Sequence, residues 1–217
     1  MPETALITGA SSGIGEQFAR QLSARGHDLI LVARREDRLR KLADELPGTA
    51  HVVPCDLARE ADQLHGRVSE LGLDVDLLVN NAGFGTYGPF VDGDSARDAD
   101  EIRVNCEALV TLTHAFLPAI VERDRGGVIN ICSTAGFQPI PYEAIYAATK
   151  AFALSFTEAL SEELRGSGVR VLAVNPGPVP TEWQAVAGHD DLPSVPGKIE
   201  ADQVVAESLA AYDRGRR

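Results

Sequence analysis

Short apolar runs alternate along the chain with segments in which apolar residues recur at helical spacing. Runs such as 29–32 and 77–79 are continuously apolar, which is typical of strands covered on both faces. The pattern predicts strands at 4–8, 28–33, 50–55, 75–80, 127–132 and 169–175, and helices at 14–25, 36–46, 58–71, 98–123, 146–166 and 201–213. Such alternation implies right-handed crossovers and a doubly wound parallel α/β sheet flanked by helices.

The stretch 178–200 breaks this alternation. It contains four prolines, two glycines and Trp183, which is the only tryptophan of the chain. Irregular loops longer than about 12–15 residues are often lids or binding loops. This one follows the last predicted strand, at the sheet edge where ligands bind in open parallel sheets. We expect a substrate loop here; the alternative is a surface excursion without a role.

Length and composition suit one α/β domain spanning 1–217, because 44% of the 217 residues are hydrophobic. We expect no apolar run of the roughly 20 residues needed to span a bilayer, and the N-terminus lacks the pattern of a secretion signal. The net charge of −12 argues against nucleic acid and anionic membranes as partners. The spacing of the three cysteines, Cys55, Cys106 and Cys132, suits neither a disulfide framework nor a zinc site, and a reducing cytoplasm is expected. The five histidines form no metal-ligand cluster, so no catalytic metal is expected.

Tyr146 and Lys150 stand four residues apart, and Ser133 lies thirteen residues before the tyrosine. Four residues is about one helical turn, so the phenol and the ammonium should share one helix face. A tyrosine normally titrates at about pH 10, and a nearby cation lowers that pKa. With a hydroxyl to hold a carbonyl oxygen, these groups could interconvert an alcohol and a ketone. For the pair alone, the alternative is a surface lysine beside a half-buried tyrosine.

The N-terminus combines an apolar run, a glycine-rich turn (Thr8-Gly9-Ala10-Ser11-Ser12-Gly13-Ile14-Gly15) and a helical pattern. Backbone N–H groups at such a turn, together with the positive end of the helix, bind phosphate. The spacing differs from the commoner Gly-x-Gly-x-x-Gly fingerprint. The alternative is an ordinary glycine-rich turn.

The second predicted strand ends in Ala33, Arg34 and Arg35, where NAD enzymes often place an acidic residue. Guanidinium groups can bind a 2′-phosphate in a bidentate manner. We therefore expect NADP(H), with NAD(H) less favoured, Arg34 as the main contact and Arg35 as a helper. The alternative is a pair of solvated arginines before a helix that begins with Glu36 and Asp37.

Several motifs, in order, resemble the short-chain dehydrogenase/reductase family in its shorter, single-domain type. They span residue 4 to about 181 and are Thr8–Gly15, Asn80-Asn81-Ala82-Gly83, Asn105, Ser133, Tyr146-Ala147-Ala148-Thr149-Lys150 and Pro176-Gly177-Pro178-Val179-Pro180-Thr181. The resemblance implies a doubly wound sheet of Rossmann type. Family members usually continue after the helix corresponding to 201–213 with another strand, so the resemblance also implies that a C-terminal strand is missing.

The resemblance implies hydride transfer between a nicotinamide and a carbonyl or carbinol carbon. Tyr146 would be the general acid/base, Ser133 would orient the substrate oxygen, and Lys150 would lower the tyrosine pKa and bind the cofactor ribose. Asn105 would hold a water that links Lys150 to solvent. The further cofactor contacts it implies, besides Tyr146, Lys150 and the two arginines, are Gly9, Ser11, Ser12, Gly13, Ile14, Gly15, Asp56, Leu57, Asn81, Ala82, Gly83, Pro176, Gly177, Val179 and Thr181. For Asp56, helix N-capping is an equal alternative.

The residues expected around the substrate are largely apolar or aromatic, which favours a small hydrophobic ketone, aldehyde or alcohol. They are Phe84, Tyr87, Phe137, Ile140, Tyr142 and Trp183, and they could instead belong to the core. Relatives often form dimers or tetramers through helices corresponding to 98–123 and 146–166, so a homodimer or homotetramer is expected. Two other functions stay open: an NADP-binding sensor without turnover, and a related epimerase or dehydratase.

Overall fold

Six parallel strands form one sheet in the computed structural model, which describes residues 3–182, 187–188 and 199–215. The strands are β1 (Thr4–Thr8), β2 (Asp28–Ala33), β3 (Ala50–Pro54), β4 (Leu77–Asn80), β5 (Gly127–Ile131) and β6 (Arg170–Val174). Their order across the sheet is β3-β2-β1-β4-β5-β6, and every neighbouring pair is parallel. The doubly wound parallel sheet predicted from the alternating pattern is therefore confirmed.

Seven helices connect or follow these strands in the described part of the chain. They are α1 (Gly13–Ala24), α2 (Glu36–Glu45), α3 (Leu64–Ser69), α4 (Ser95–Ile102), α5 (Leu109–Glu122), α6 (Ala144–Glu163) and α7 (Ala201–Asp213). A π-helical turn, Arg103–Ala108, joins α4 to α5 without a break. Short 3₁₀ turns lie at Ala61–Gln63, Phe90–Asp92 and Thr134–Phe137.

The N-terminal boundaries of two predicted helices differ from the structure by three residues or more. The helix predicted at 58–71 is only a 3₁₀ turn and the short α3, because the N–H groups of Arg59 and Glu60 both donate to the carbonyl of Asp56 in a turn. The helix predicted from residue 98 begins at Ser95. Its N-cap is Asp94, whose carboxylate accepts from the N–H of Ala96 at 2.9 Å and so satisfies one of the first unpaired backbone donors.

The two faces of the sheet bury separate hydrophobic clusters. On one face, α1, α2 and α7 contribute side chains such as Phe18, Leu39 and Leu209. On the other face, α3 and α5 contribute side chains such as Leu64 and Phe116. Because the strands are covered on both sides, their apolar runs are continuous, as the sequence indicated.

The helical run Ser95–Glu122 is long and apolar enough by composition to cross a membrane, since one 18-residue window has a mean hydropathy of 1.4. The expectation that no stretch of the chain reaches this length and composition was wrong. Leu109, Leu112 and Phe116 are buried, and the latter two pack in the cluster against the sheet. The buried side of α5 thus belongs to the core, and these three side chains do not form an outer subunit interface.

The strand order reverses between β1 and β4, where the chain crosses from one half of the sheet to the other. Crossovers leave these two strands in opposite directions, which opens a crevice beyond their carboxyl ends. Two amides at the end of β4 tie this strand to its neighbours on either side. Asn80 donates to Asn130 on β5 at 2.9 Å, and Asn81 donates to the carbonyl of Thr8 on β1 at 2.8 Å.

Candidate active site

A groove of about 830 Å³ lies at the carboxyl ends of the strands. It brings together nearly all the residues that the sequence predicted for the site. The predicted residues that line it are Gly9, Ser11, Ser12, Gly13, Ile14, Arg34, Arg35, Asp56, Leu57, Asn81, Ala82, Gly83, Ser133, Tyr146, Lys150, Pro176, Gly177, Val179 and Thr181. Gly15 and Asn105 lie behind this lining.

The glycine-rich turn between β1 and α1 depends on close backbone approaches. Gly9 has a φ of +66°, in the left-handed region that favours glycine. A Cβ atom on Gly15 would lie 2.4 Å from the carbonyl oxygen of Gly9, so only glycine allows the first turn of α1 to pack there. Gly15 therefore shapes the turn, while Ser11, Ser12 and Gly13 face the groove.

Arg35 extends across the glycine-rich turn from the N-terminus of α2. Its Nη2 donates to the hydroxyls of Ser11 at 2.9 Å and Ser12 at 2.8 Å, and its Nη1 donates to Glu182 at 2.7 Å. Arg34 is exposed and lines the same groove. The arginine expected to be the helper is thus the one that contacts the turn.

Asp56 and Leu57 follow β3 and line the same groove as Arg34. The Asp56 carboxylate accepts from the N–H of Ala58 at 3.1 Å, so it caps a turn rather than an α-helix. Since the same residue lines the groove, the capping contact and a ligand contact are not exclusive alternatives.

Ser133 and Tyr146 come from different elements and meet in the groove. Ser133 follows β5 as the N-cap of a 3₁₀ turn, where its hydroxyl accepts from the N–H of Ala135 at 3.1 Å. Tyr146 lies in the first turns of α6, and its phenol is hydrogen-bonded to Ser133. Two hydroxyls thus converge where a substrate oxygen could bind both.

Lys150 lies beneath the tyrosine ring, one helical turn further along α6. Its Nζ is 5.7 Å from the centroid of the Tyr146 ring and donates to the carbonyl of Ile131 at 2.8 Å. Burial lowers the pKa of this ammonium. The four-residue spacing therefore does place the phenol and the ammonium on one helix face, as predicted.

The pKa of Tyr146 moves in the opposite direction from the one expected from the lysine. Burial is the main cause that raises it, the charges of Glu143 and Glu101 add to the rise, and the hydrogen bond with Ser133 lowers it, which leaves the pKa at about 12. Desolvation disfavours the phenolate more than the nearby groups stabilise it. In this structure Tyr146 is therefore a protonated phenol at neutral pH.

Asn105 lies in the π-helical turn and ties the loop after β4 to α6. Its side chain accepts from the N–H of Phe84 at 3.1 Å, and donates to the carbonyl of Phe84 at 2.9 Å and to the hydroxyl of Thr149 at 3.0 Å. Both amide donors are thus used within the protein. A π-helical turn often marks a functional position in a helix.

Glu101, one turn before Asn105, was not predicted. Its side chain is fully buried, Oε2 accepts from the hydroxyl of Thr86 at 2.8 Å, and Oε1 has no hydrogen-bond partner among the described residues. Burial raises its pKa to about 7. The sequence offered little signal, because α4 also carries Arg97, Asp98 and Asp100.

The expected substrate residues divide between two cavities. Phe84 and Ile140 line the main groove, whereas Tyr87 and Tyr142 line a neighbouring cavity of about 350 Å³. Phe137 is 64% exposed and lines neither, and Trp183 lies outside the described residues. The main groove is also more polar than predicted, since Asp94, Arg97, Asp100, Gln138 and Glu143 line it too.

The three cysteines are not placed for reactive chemistry. Cys55 and Cys132 are buried, Cys106 is partly buried, and none of them forms a disulfide. Burial raises the pKa of all three thiols, to about 11 for Cys55. Within 3–182, 187–188 and 199–215, no group of three His, Cys, Asp or Glu residues could hold a metal ion.

Known proteins and a protein-family model match this chain along nearly its whole length. The protein-family model described as short chain dehydrogenase matches residues 3–191. Sulfoacetaldehyde reductase 2 of Chromohalobacter salexigens is 40% identical over 217 residues, covering 97% of this chain and 86% of the relative. The NADP-dependent 3-hydroxy acid dehydrogenase of Salmonella typhimurium is 38% identical over 190 residues, covering 86% and 77%.

Among solved structures, a short-chain dehydrogenase from Sphingobium yanoikuyae in complex with NADPH superposes with a TM-score of 0.90. The two sequences are 38% identical, and the match covers 100% of this chain and 86% of the other.

Proposed function

The chain belongs to the short-chain dehydrogenase/reductase family, and on that premise we propose that it is an NADP-dependent oxidoreductase that interconverts a carbonyl and an alcohol by hydride transfer. The observation that carries the proposal is the convergence of Ser133, Tyr146 and Lys150 in the groove that also contains the glycine-rich turn and Arg35. An acid/base group, an oxygen-binding hydroxyl and an anion site thus share one cavity.

The donors around the turn fit the phosphates of a dinucleotide. The hydroxyls of Ser11 and Ser12 and the guanidinium of Arg35 lie together at the N-terminus of α1, where the helix dipole also favours an anion. Arg34 and Arg35 at the end of β2 support NADP over NAD. The Salmonella relative is named for NADP, and the Sphingobium structure contains NADPH.

Along the rest of the groove, Asp56 and Leu57 would contact the adenine. Asn81, Ala82 and Gly83 would lie along the ribose, and the segment from Pro176 to Thr181 would lie around the nicotinamide. When bound, the nicotinamide group supplies or accepts the hydride.

In the reductive direction, Tyr146 donates its phenolic proton to the substrate oxygen, and in the oxidative direction it takes a proton back. The raised pKa keeps the phenol protonated at neutral pH, which suits the reductive role. Ser133, already hydrogen-bonded to the phenol, orients the substrate oxygen and stabilises charge that develops on it.

Lys150 holds its ammonium between the Tyr146 ring and the backbone of β5, where it can also reach the ribose hydroxyls. Asn105 keeps the loop after β4 against α6. Because its amide N–H groups are occupied, a water linking Lys150 to solvent would bind Asn105 through an oxygen, on the backbone or the side chain.

We propose a small carbonyl substrate with an apolar part, because Phe84 and Ile140 line the groove beyond the reacting residues. The test is NADPH oxidation against a panel of hydrophobic ketones and aldehydes. Carboxylate- and sulfonate-bearing aldehydes are included, since the matched relatives are named for a hydroxy acid and for sulfoacetaldehyde. NADH is tested in parallel, and equal or better use of NADH contradicts the NADP assignment.

Tyr146→Phe provides the decisive control in this assay. We expect NADP affinity within about twofold of the wild type and kcat lowered by about 10²-fold or more, the usual scale for loss of a general acid. Tyr142→Phe is the matched variant, because Tyr142 is exposed and lines the neighbouring cavity. Wild-type turnover in Tyr146→Phe contradicts the mechanism, and NADP binding without turnover on any carbonyl would favour a sensor.

We also propose a cytoplasmic homo-oligomer. The outer face of α6 carries Phe152, which is exposed and stacks on Phe156 with ring centroids 6.2 Å apart. Exposed aromatic side chains on a helix are candidates for a subunit interface. Light scattering after gel filtration tests this, with Phe152→Glu expected to shift the mass toward the monomer.

A further inference from the structure

Two arginines at the start of α2 share one carboxylate. Arg35 Nη1 donates to Glu182 Oε2 at 2.7 Å, and Arg38 Nη1 donates to Glu182 Oε1 at 2.6 Å. The remaining nitrogens of Arg35 donate to Ser11 and Ser12. Two guanidinium groups thus bind one carboxylate at the edge of the groove, and one of them is also held by two hydroxyls of the glycine-rich turn.

Glu182 reaches this place from the far side of the sheet, because the segment after β6 crosses over the glycine-rich turn. A Cβ atom on Gly13 would lie 3.0 Å from the methyl carbon of Thr181, so this segment lies directly on the turn. Arg35, Glu182 and Thr181 all line the groove. The carboxylate is therefore a half-exposed anion at the groove, supplied by a segment that is remote in sequence from both arginines.

We propose that Arg38 binds the 2′-phosphate of NADP together with Arg35, and that Glu182 competes with that phosphate for the same two guanidinium groups, so that residue 182 sets the preference between NADP and NAD. This inference rests on the proposed function, because it assumes that a dinucleotide occupies the groove.

Carboxylate and phosphate are alternative partners for a guanidinium group, since both accept its N–H donors in the same bidentate geometry. Two anions cannot occupy one such site without strong repulsion, so the phosphate must displace the carboxylate. The hydrogen bonds from Arg35 and Arg38 lower the pKa of Glu182 to about 2, so the competing charge is present at every physiological pH. NAD carries a hydroxyl instead of the 2′-phosphate and has no need to displace Glu182.

The competition predicts opposite effects for the two sides of the ion pair. Glu182→Gln removes the competing charge, and we expect the Kd for NADP to fall by about threefold to tenfold while the Kd for NAD stays within about twofold. Arg38→Gln removes a phosphate ligand, and we expect the Kd for NADP to rise by about tenfold with little change for NAD. Isothermal titration of each full-length variant with NADP⁺ and NAD⁺ measures both values.

Arg40→Gln is the matched control. Arg40 lies on the same helix and carries the same charge, but it is largely exposed and pairs with Glu36 on its own helix. Its substitution should leave both Kd values unchanged. Adenosine 2′,5′-bisphosphate and adenosine 5′-monophosphate serve as shorter probes, because they differ in the 2′-phosphate alone and do not reach the nicotinamide end of the groove.

The inference is overturned if Glu182→Gln leaves NADP binding unchanged. It is also overturned if that substitution weakens NADP and NAD alike, since Glu182 would then be a clamp over either bound dinucleotide. A Kd for NADP that is unchanged in Arg38→Gln removes the role of Arg38. If the wild type binds neither dinucleotide, the proposed function itself fails, and that result is distinct from wild-type binding that the two substitutions do not alter.

Discussion

Replacing Glu101 with glutamine should stabilise the protein in a pH-dependent way. The side chain is fully buried, and burial raises its pKa from the ordinary 4.5 to about 7. Each tenfold change in a proton dissociation constant is worth about 1.4 kcal/mol, so the difference between these values corresponds to about 3 kcal/mol. Only the charged form carries this cost, because its Oε1 is buried without a hydrogen-bond partner among the described residues.

The sign follows from proton binding. The folded protein holds the Glu101 proton more tightly than the unfolded chain, so stability from this group is present below about pH 4.5 and is lost as the pH rises to about 7. Glutamine resembles the protonated acid and does not titrate. The free energy of unfolding of Glu101→Gln, relative to the wild type, should therefore rise by up to about 3 kcal/mol between about pH 5 and about pH 8.

Urea denaturation at both pH values measures this difference. Glu107→Gln is the control, since Glu107 is exposed and lies less than two turns further along the same helical run. A gain for Glu101→Gln that is the same at both pH values would falsify the argument, because a constant gain reports packing rather than ionisation. An equal pH-dependent gain for Glu107→Gln would also contradict it.

Three further predictions concern the groove. Lys150→Ala should weaken NADP binding and lower kcat, because its ammonium lies between the Tyr146 ring and the backbone of β5; unchanged NADP affinity in a binding titration would count against the ribose contact. In a pH titration followed by tyrosinate absorbance, the signal present in the wild type and absent in Tyr146→Phe should develop only well above pH 10, since burial raises the pKa of Tyr146 to about 12. A midpoint of that difference at neutral pH would contradict the burial argument. Gly15→Ala should destabilise the protein by about 1–3 kcal/mol in urea denaturation, because its Cβ would lie 2.4 Å from the carbonyl of Gly9. Gly66→Ala, with no atom within 4 Å of the new Cβ, should instead be neutral or stabilising, and equal losses in the two alanine variants would contradict the packing argument.

Much of the fold could be predicted from the sequence, because the periodicities of strands and helices are local properties of the chain. The strands at 4–8 and 28–33 were predicted to the residue, and the helix at 201–213 likewise. The prediction failed where a side chain or a turn overrides the periodicity. Asp94 starts a helix three residues early by capping it, and the turn at Asp56 delays α3.

The functional site could be predicted where its residues are close together in the sequence. Tyr146 and Lys150 share one helix face because of their spacing alone, and the glycine-rich turn is a continuous segment. Ser133 required the sheet, since it reaches the phenol only because β5 ends beside α6. Glu101 was missed because α4 also carries Asp98 and Asp100, and the sequence gives no sign of which carboxylate is fully buried.

The sequence by itself determined the parallel sheet, the phosphate-binding turn and the paired phenol and ammonium, because each depends on residues within one or two elements. Only the tertiary structure decided that the pKa of Tyr146 rises and that Arg35 forms an ion pair with Glu182, which is 147 residues away. Desolvation depends on every segment that packs around a group. An ion pair between segments remote in sequence depends on whether the fold brings their two side chains together. Neither quantity is encoded in the local pattern, so both had to be read from the folded protein.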